Sequence, residues 1–340
     1  MDLRKQIFTI QNGNDFTALA LKVFDYQYKN CAIYRKYVDM IRCDSNKITA
    51  IEQIPFLPIE FFKTQRIIAD GYTPQLTFTS SGTTGNQTST HFVADKTLYE
   101  ESFLRCFEQF IGKPEEFVIL GLLPSYLERQ NSSLVYMVNE LIIRTKNTDS
   151  GFYLYDFEKI AEKLQNLSDS GQKTIVFGVG FALLDVVEKY RFNLNNVLVF
   201  ETGGMKGRRK EITREELHLA LTEGFNVDVI YSEYGMTELL SQAYSTPPLP
   251  PPKEGNMIKN VTFQTPAWMK ILIRDPQDPL SIVNQPNTRG GVNVVDLANL
   301  YSCSFIATQD LGKIHPDGSF EILGRLQNAD IRGCNMLVEN

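Results

Sequence analysis

At 340 residues, 43% hydrophobic and 22% charged, the chain has the composition of a globular protein with room for more than one subdomain. Its net charge of −6 argues against general nucleic-acid binding, which needs a basic surface, but allows a nucleotide held at a local site. No apolar run approaches the roughly 18 residues of a membrane helix, Met1 to Asn12 lacks the apolar region of a secretory signal, and five scattered cysteines fit reduced thiols; a cytoplasmic location is expected.

In chain order, the first seventy residues read mostly helical, with Phe16 to Tyr28 and Ile33 to Met40 rich in apolar and aromatic side chains. Ile54-Pro55-Phe56-Leu57-Pro58 interrupts them, because proline cannot continue a helix. Leu76 to Thr79 is a short strand. Asp95 to Phe110 reads as a helix, Phe117 to Leu123 as a buried strand, and Asn131 to Ile143 and Phe157 to Leu167 as helices. Thr174 to Val179 and Val197 to Phe200 are strands flanking a helix at Ala182 to Tyr190. Thr213-x-x-Glu216 is a capping box that opens a further helix, and Val227 to Tyr231 is the next strand. This alternation predicts an α/β fold with a substantially parallel sheet over residues 1–244. Thr246 to Lys253 holds five prolines, an extended connection. Beyond it Lys270 to Arg274, Gly291 to Asp296, Phe305 to Thr308 and Phe320 to Leu323 read as short strands of a small β-rich subdomain over 245–323, followed by a tail at 324–340.

Four segments carry the chemistry. Between Thr79 and His91 the hydroxyls of Ser80, Ser81, Thr83 and Thr84 alternate with Gly82 and Gly85. Glycines let the backbone turn and approach a ligand, and successive N–H groups in such a turn make an anion site. It is not a Walker A loop, because no lysine follows Gly85 until Lys96. Glu201-Thr202-Gly203-Gly204-Met205 ends one strand, in a turn over which a flat ring can lie. Tyr231-Ser232-Glu233-Tyr234-Gly235-Met236-Thr237-Glu238 ends another, where open α/β sheets bind ligands. There Tyr234 offers a ring, Gly235 close approach, and Thr237 and Glu238 a hydroxyl and a carboxylate; a carboxylate beside a phosphate loop calls for a cation, ordinarily Mg²⁺. Finally, Asp310 can accept from a ribose diol, Asp317-Gly318 marks a hairpin turn, and Arg325 can contact a phosphate. The three histidines lie far apart and no Cys-x-x-Cys occurs, so zinc has no support. His91 reads as a surface or partly buried histidine that could assist a phosphate; His218, His315, Cys31, Cys43, Cys106 and Cys303 read as structural.

In order, Thr79-Ser80-Ser81-Gly82-Thr83-Thr84-Gly85, Thr202-Gly203-Gly204, Tyr234-Gly235-Met236-Thr237-Glu238, Asp310-Leu311-Gly312 and Gly324-Arg325 resemble the core motifs of the adenylate-forming, acyl-CoA synthetase-like superfamily. Within it the chain is most similar to the LuxE-like acyl-protein synthetases, which end in Arg-Gly-Cys, here Arg332-Gly333-Cys334. The resemblance implies the superfamily's large domain, with mixed, largely parallel sheets flanked by helices plus a β-rich subdomain, and a truncated mobile C-terminal domain. It implies that Ser80 to Gly85 hold the ATP phosphates, that Gly203 and Gly204 flank adenine and Tyr234 stacks on it, and that Thr237 and Glu238 meet the α-phosphate and Mg²⁺. Asp310 would take the ribose and Arg325 support it, while Gly235 permits close approach. The implied reaction activates a fatty acid, or another carboxylic acid, as acyl-AMP and passes the acyl group to Cys334, whose thiolate Arg332 would favour. An acyl reductase or acyl carrier protein is the implied partner. Two departures stand: the loop runs on as Asn86-Gln87-Thr88-Ser89-Thr90 where the superfamily usually carries a basic residue, and the cation that steadies the carboxylate is unassigned. An acyl- or aryl-CoA ligase, or a catalytically silent nucleotide-binding scaffold, are the alternatives.

Overall fold

The computed structural model describes residues 2–80, 88–123, 131–153, 156–203, 212–245 and 261–326. Its frame is a hydrogen-bonded path of strands that changes character midway. Gly151–Phe152, Val118–Leu122, Thr174–Gly178, Val197–Glu201 and Ile230–Tyr234 lie side by side in that order, all parallel. Val118–Leu122 and Thr174–Gly178 are buried at every residue, as unbroken apolar runs require of strands covered on both faces. Helix Lys96–Phe110 leads into the first of these strands in sequence, and helices Ser133–Thr145, Phe157–Asp169, Gly180–Lys189 and Arg214–Phe225 carry the chain from one to the next. Their starts are fixed by side chains that satisfy the free N–H groups of a first turn: Asp95 accepts from Thr97 and Leu98, and Thr213 and Glu216 close the expected capping box.

After Tyr234 the path turns antiparallel. Ala243–Ser245, Phe263–Gln264, Phe320–Arg325, Phe305–Ile314, Gly290–Asp296, Met269–Arg274 and Ile282–Val283 follow in spatial order. The change of texture near residue 245 is thus a change of strand direction with hydrogen bonding continuous across it, since Glu233 and Tyr234 pair with Tyr244 and Ala243. The N-terminal helices cover this second half. Leu57–Pro58 adds to it in parallel against Ile306 and Ala307. Gln27, fully buried, donates to the carbonyls of Asn299 and Leu300 at 3.0 and 2.9 Å, and Tyr34 stacks on Phe305 with centroids 6.1 Å apart.

Two strand boundaries move, and both matter for the site. The strand expected at Val227 to Tyr231 runs Ile230–Tyr234 instead, because Asn226 closes the preceding helix in a left-handed conformation and delays the next pairing. Phe305–Ile314 extends well past Thr308, pairing on both sides. Asp310, two residues past the strand end expected from sequence, therefore sits inside a strand, beside a register shift at Leu311/Gly312. Asp317 and Gly318 do make the hairpin turn, with Gly318 at φ +85°.

Candidate functional site

The glycine-rich segment springs from a hairpin whose arms are Leu76–Thr79 and Thr90–Val93. Ser80 and Ser89 clamp its base: the Ser80 N–H donates to the Ser89 carbonyl at 3.0 Å, and the Ser89 N–H to Ser80 Oγ at 2.9 Å. Ser81, Gly82, Thr83, Thr84 and Gly85 lie outside the described residues, as do Gly204, the Pro124 to Arg129 block, the proline run and Arg332-Gly333-Cys334. What the structure fixes is where the loop is anchored. The side chain of Ser89 hydrogen-bonds the carboxylate of Glu238, which is only 5% exposed. Residues nearly 150 positions apart in sequence thereby meet at one point. Burial raises the Glu238 pKa, opposed by that hydrogen bond and by the positive charges of Arg325 and Lys63.

A buried polar frame holds the Thr237–Glu238 backbone. His91 is fully buried, so the expectation of a surface or partly buried histidine is corrected. Its strand turns it inward, under Phe62, whose ring meets the imidazole edge-on at 5.7 Å. Nδ1 lies 2.8 Å from the Thr237 carbonyl and Nε2 3.0 Å from Asn299 Oδ1, while Asn299 Nδ2 donates to the Glu238 carbonyl at 2.8 Å. Two oxygen acceptors face one ring, a set that only the imidazolium would satisfy fully. Burial opposes that charge and lowers the pKa to about 4, so the ring is neutral near pH 7 and donates through one nitrogen. Two residues on, Asp296 Oδ2 accepts from the N–H groups of Leu240 and Ser241 at 2.8 and 3.0 Å, and Oδ1 from Ser241 Oγ at 2.6 Å. Sequence reading missed His91, Asn299 and Asp296 as positioning residues; periodicity signals a buried face but not which polar group shares it.

The third corner comes from the antiparallel half. The Tyr234 hydroxyl donates to Asp310 Oδ2 at 2.9 Å, and Arg325, paired in register with Asp310, brings Nε to 3.7 Å from Oδ1. Burial raises the Asp310 pKa; the Tyr234 hydroxyl and Arg325 pull it back. The Tyr234 ring is 8% exposed and packs on Phe263 and Phe320. Arg325 is 76% exposed at its side chain, so its charge is largely screened by water.

On the other side of the same strand, Glu233 accepts from Thr202 Oγ1 at 2.8 Å. Burial lifts its pKa to about 7, with Glu201 adding to the rise. A side chain at the exposed Gly235 would press on the Glu233 carboxyl, which would have to shift to make room. Gly203 takes φ +74°, a turn suited to glycine. No cluster of three or more His, Cys, Asp or Glu suitable for a metal occurs among the described residues. The lone buried Glu238 suits Mg²⁺, which takes one or two carboxylates and fills its other positions with phosphate oxygens and water. No helix among the described residues is long and apolar enough to cross a membrane.

The fold recurs in solved enzymes at low sequence identity. A 2-hydroxyisobutyryl-CoA ligase in complex with 2-HIB-AMP and CoA, in its thioesterification state, matches with TM-score 0.66 at 11% identity, over 94% of this chain and 70% of that one. Its open conformation gives 0.64 at 10%, over 94% and 72%. The amide bond synthetase McbA from Marinactinospora thermotolerans gives 0.50 at 17%, over 77% and 51%. The chain spans about half the length of some of these relatives, 49% of an ATP-bound RpMatB–BxBclM chimera among them. No curated protein matches in sequence. Residues 10–340 match the family described as "Acyl-protein synthetase, LuxE", and with the mixed α/β sheet of adenylate-forming enzymes beneath that match, the chain belongs to the LuxE acyl-protein synthetase family.

Proposed function

We propose that this protein uses ATP to activate a fatty acid as acyl-AMP and then passes the acyl group to a protein thiol, Cys334 being the candidate. Two pairings of distant segments support the reading: the Ser80–Ser89 loop base beside Glu238, and Tyr234 with Asp310 and Arg325, the charge of Arg325 also acting on Glu238.

In this reading the loop 80–85 cradles the phosphates, Thr237 and Glu238 lie at the α-phosphate, and Asp310 and Arg325 take the ribose. Gly203, Gly204 and Gly235 leave room for the base, with Tyr234 against it. Glu238 would hold Mg²⁺, which when bound would supply charge neutralisation. A carboxylate oxygen bonds to the α-phosphorus as the bond to the bridging oxygen breaks, and pyrophosphate leaves with that electron pair. The protein's part is alignment and charge compensation. The His91–Asn299 frame fixes the Thr237–Glu238 backbone so that little reorganisation is needed. In the second step the Cys334 thiolate attacks the acyl carbon and AMP departs, leaving a thioester. An acyl reductase or acyl carrier protein would consume that product.

The test combines ATP, Mg²⁺ and a labelled fatty acid. Acid-dependent ATP–pyrophosphate exchange is expected, with label on the protein that Cys334→Ser abolishes. AMP release only with CoA would favour an acyl- or aryl-CoA ligase, and no exchange with any acid a nucleotide-binding scaffold.

A further inference from the structure

Glu233 has no part in the chemistry above, yet its place in the sheet is a costly one. A carboxyl group held away from water needs hydrogen-bond donors to answer it. Among the described residues Glu233 has one side-chain donor, Thr202 Oγ1, at 2.8 Å from Oε2. Glu201, on the neighbouring strand, adds a second negative charge. Tyr244, the partner of Glu233 in register, gives no relief: its hydroxyl and Gln242 Oε1 are buried without a hydrogen-bond partner. Around them the face is aromatic, with Tyr244 against Phe110 and Phe200.

The Glu233–Thr202 contact laces the ends of three parallel strands. Gly178, Glu201 and Ser232 lie abreast as those strands finish. Just beyond, the Thr202 N–H donates to the Gly178 carbonyl at 2.9 Å, and its hydroxyl donates to Glu233. Thr202, 3% exposed, is thus fixed to a strand on either side. The next residue is Gly203, exposed and at φ +74°, where the chain leaves the sheet. The other carboxyl oxygen, Oε1, rests against Gly235, the first residue after Tyr234. Side chains alternate along a strand, so Tyr234 faces Asp310 while Glu233 faces this lacing. One carboxyl group therefore sits between the Gly203 turn and the turn after Tyr234, the two turns given to the base above.

We infer that Glu233 is a positioning residue of the nucleotide site, its carboxyl fixing through Thr202 how the Gly203 turn stands beside Tyr234. In this role it touches no reacting atom. It acts before ATP arrives, keeping the turn in one arrangement so that binding has less of the chain to order. The inference rests on the adenylation reading above and deepens it by naming what holds the base-side turn. A tie that only strengthened the sheet would show in stability and leave nucleotide affinity alone.

The experiment is acid-dependent ATP–pyrophosphate exchange by the full chain, comparing wild type, Thr202→Val, Glu233→Ala, the double variant and Glu233→Gln, with the melting transition of each recorded. Absence of exchange in the wild type would reject the adenylation reading itself. Given wild-type exchange, Thr202→Val and Glu233→Ala are each expected to raise KM for ATP about tenfold, with kcat and KM for the acid within about twofold. The double variant should be no worse than either single one, because both remove the same link. Glu233→Gln, whose amide oxygen still accepts from Thr202, should recover most of the affinity. Folded Thr202→Val and Glu233→Ala variants with KM for ATP within about twofold of wild type would overturn the inference, whatever their stability. Multiplying effects in the double variant, or a Glu233→Gln variant as weak as Glu233→Ala, would overturn it too. If one single variant fails to fold, the other, read beside Glu233→Gln, decides.

Discussion

The two halves of the sheet are built on different principles. In the parallel half, Val118–Leu122 and Thr174–Gly178 present hydrocarbon at nearly every position, and Phe177 stacks on Phe200 at 5.0 Å. In the antiparallel half and the segment that joins it, the interior is wired by polar groups: Gln27, His91, Ser241, Asp296, Asn299 and Arg274 are all buried and hydrogen-bonded. Hydrocarbon packing tolerates volume-conserving change, whereas a buried polar network fails when one member is lost. The parallel half is mainly a scaffold whose strand ends carry Thr202, Gly203, Glu233 and Tyr234; the polar network holds the Thr237–Glu238 backbone in place.

Substitutions can break or sharpen this contrast. The largest effect is expected at Glu238: Glu238→Ala should lower ATP–pyrophosphate exchange by roughly a hundredfold or more, while Ile175→Val in the parallel half should leave exchange unchanged and cost about 1 kcal/mol in chemical denaturation. Next comes Asp296→Ala. It strands the Leu240 and Ser241 N–H groups and should cost about 3 kcal/mol. Exchange should fall too, because the segment after Glu238 is released. A comparable stability loss from Ile175→Ala with unchanged KM values would sharpen the contrast; equal kinetic damage from both would break it.

These differences also explain how much was legible in the sequence. Buried parallel strands announce themselves as apolar runs, so Val118–Leu122, Thr174–Gly178 and Val197–Glu201 appear where expected, within a residue or two at each end. The Thr213–Glu216 capping box is local and equally readable. Asp310 is recognisable by motif, but the strand that carries it reads too short from sequence, because its far end is held by partners on both sides rather than by its own composition. The His91–Asn299 contact spans 208 positions, and nothing in either residue's neighbourhood points to the other. The loop's anchoring on Glu238 through Ser89 is invisible for the same reason.

A smaller effect concerns pH. His91 carries a pKa lowered from 6.5 to about 4, so the unfolded chain takes up a proton before the native state does. Its contribution to stability is therefore present above pH 6.5 and lost as pH falls toward 4, on the order of 3 kcal/mol over that window. Denaturation of His91→Gln at several pH values should show a shallower acid loss than wild type by about that amount; identical slopes would mean that the ring is not held neutral. The smallest effect is assigned to Thr213→Ala, which removes one helix cap and should cost about 1 kcal/mol in chemical denaturation.

The most direct test of the central claim, that distant segments converge on one nucleotide, is a crystal structure with a non-hydrolysable acyl-adenylate analogue. The account predicts ribose hydroxyls within hydrogen-bond distance of Asp310 and the phosphate mimic between Glu238 and the Ser80–Ser89 loop base. An analogue bound elsewhere, or refused by folded protein at saturating concentration, would contradict it.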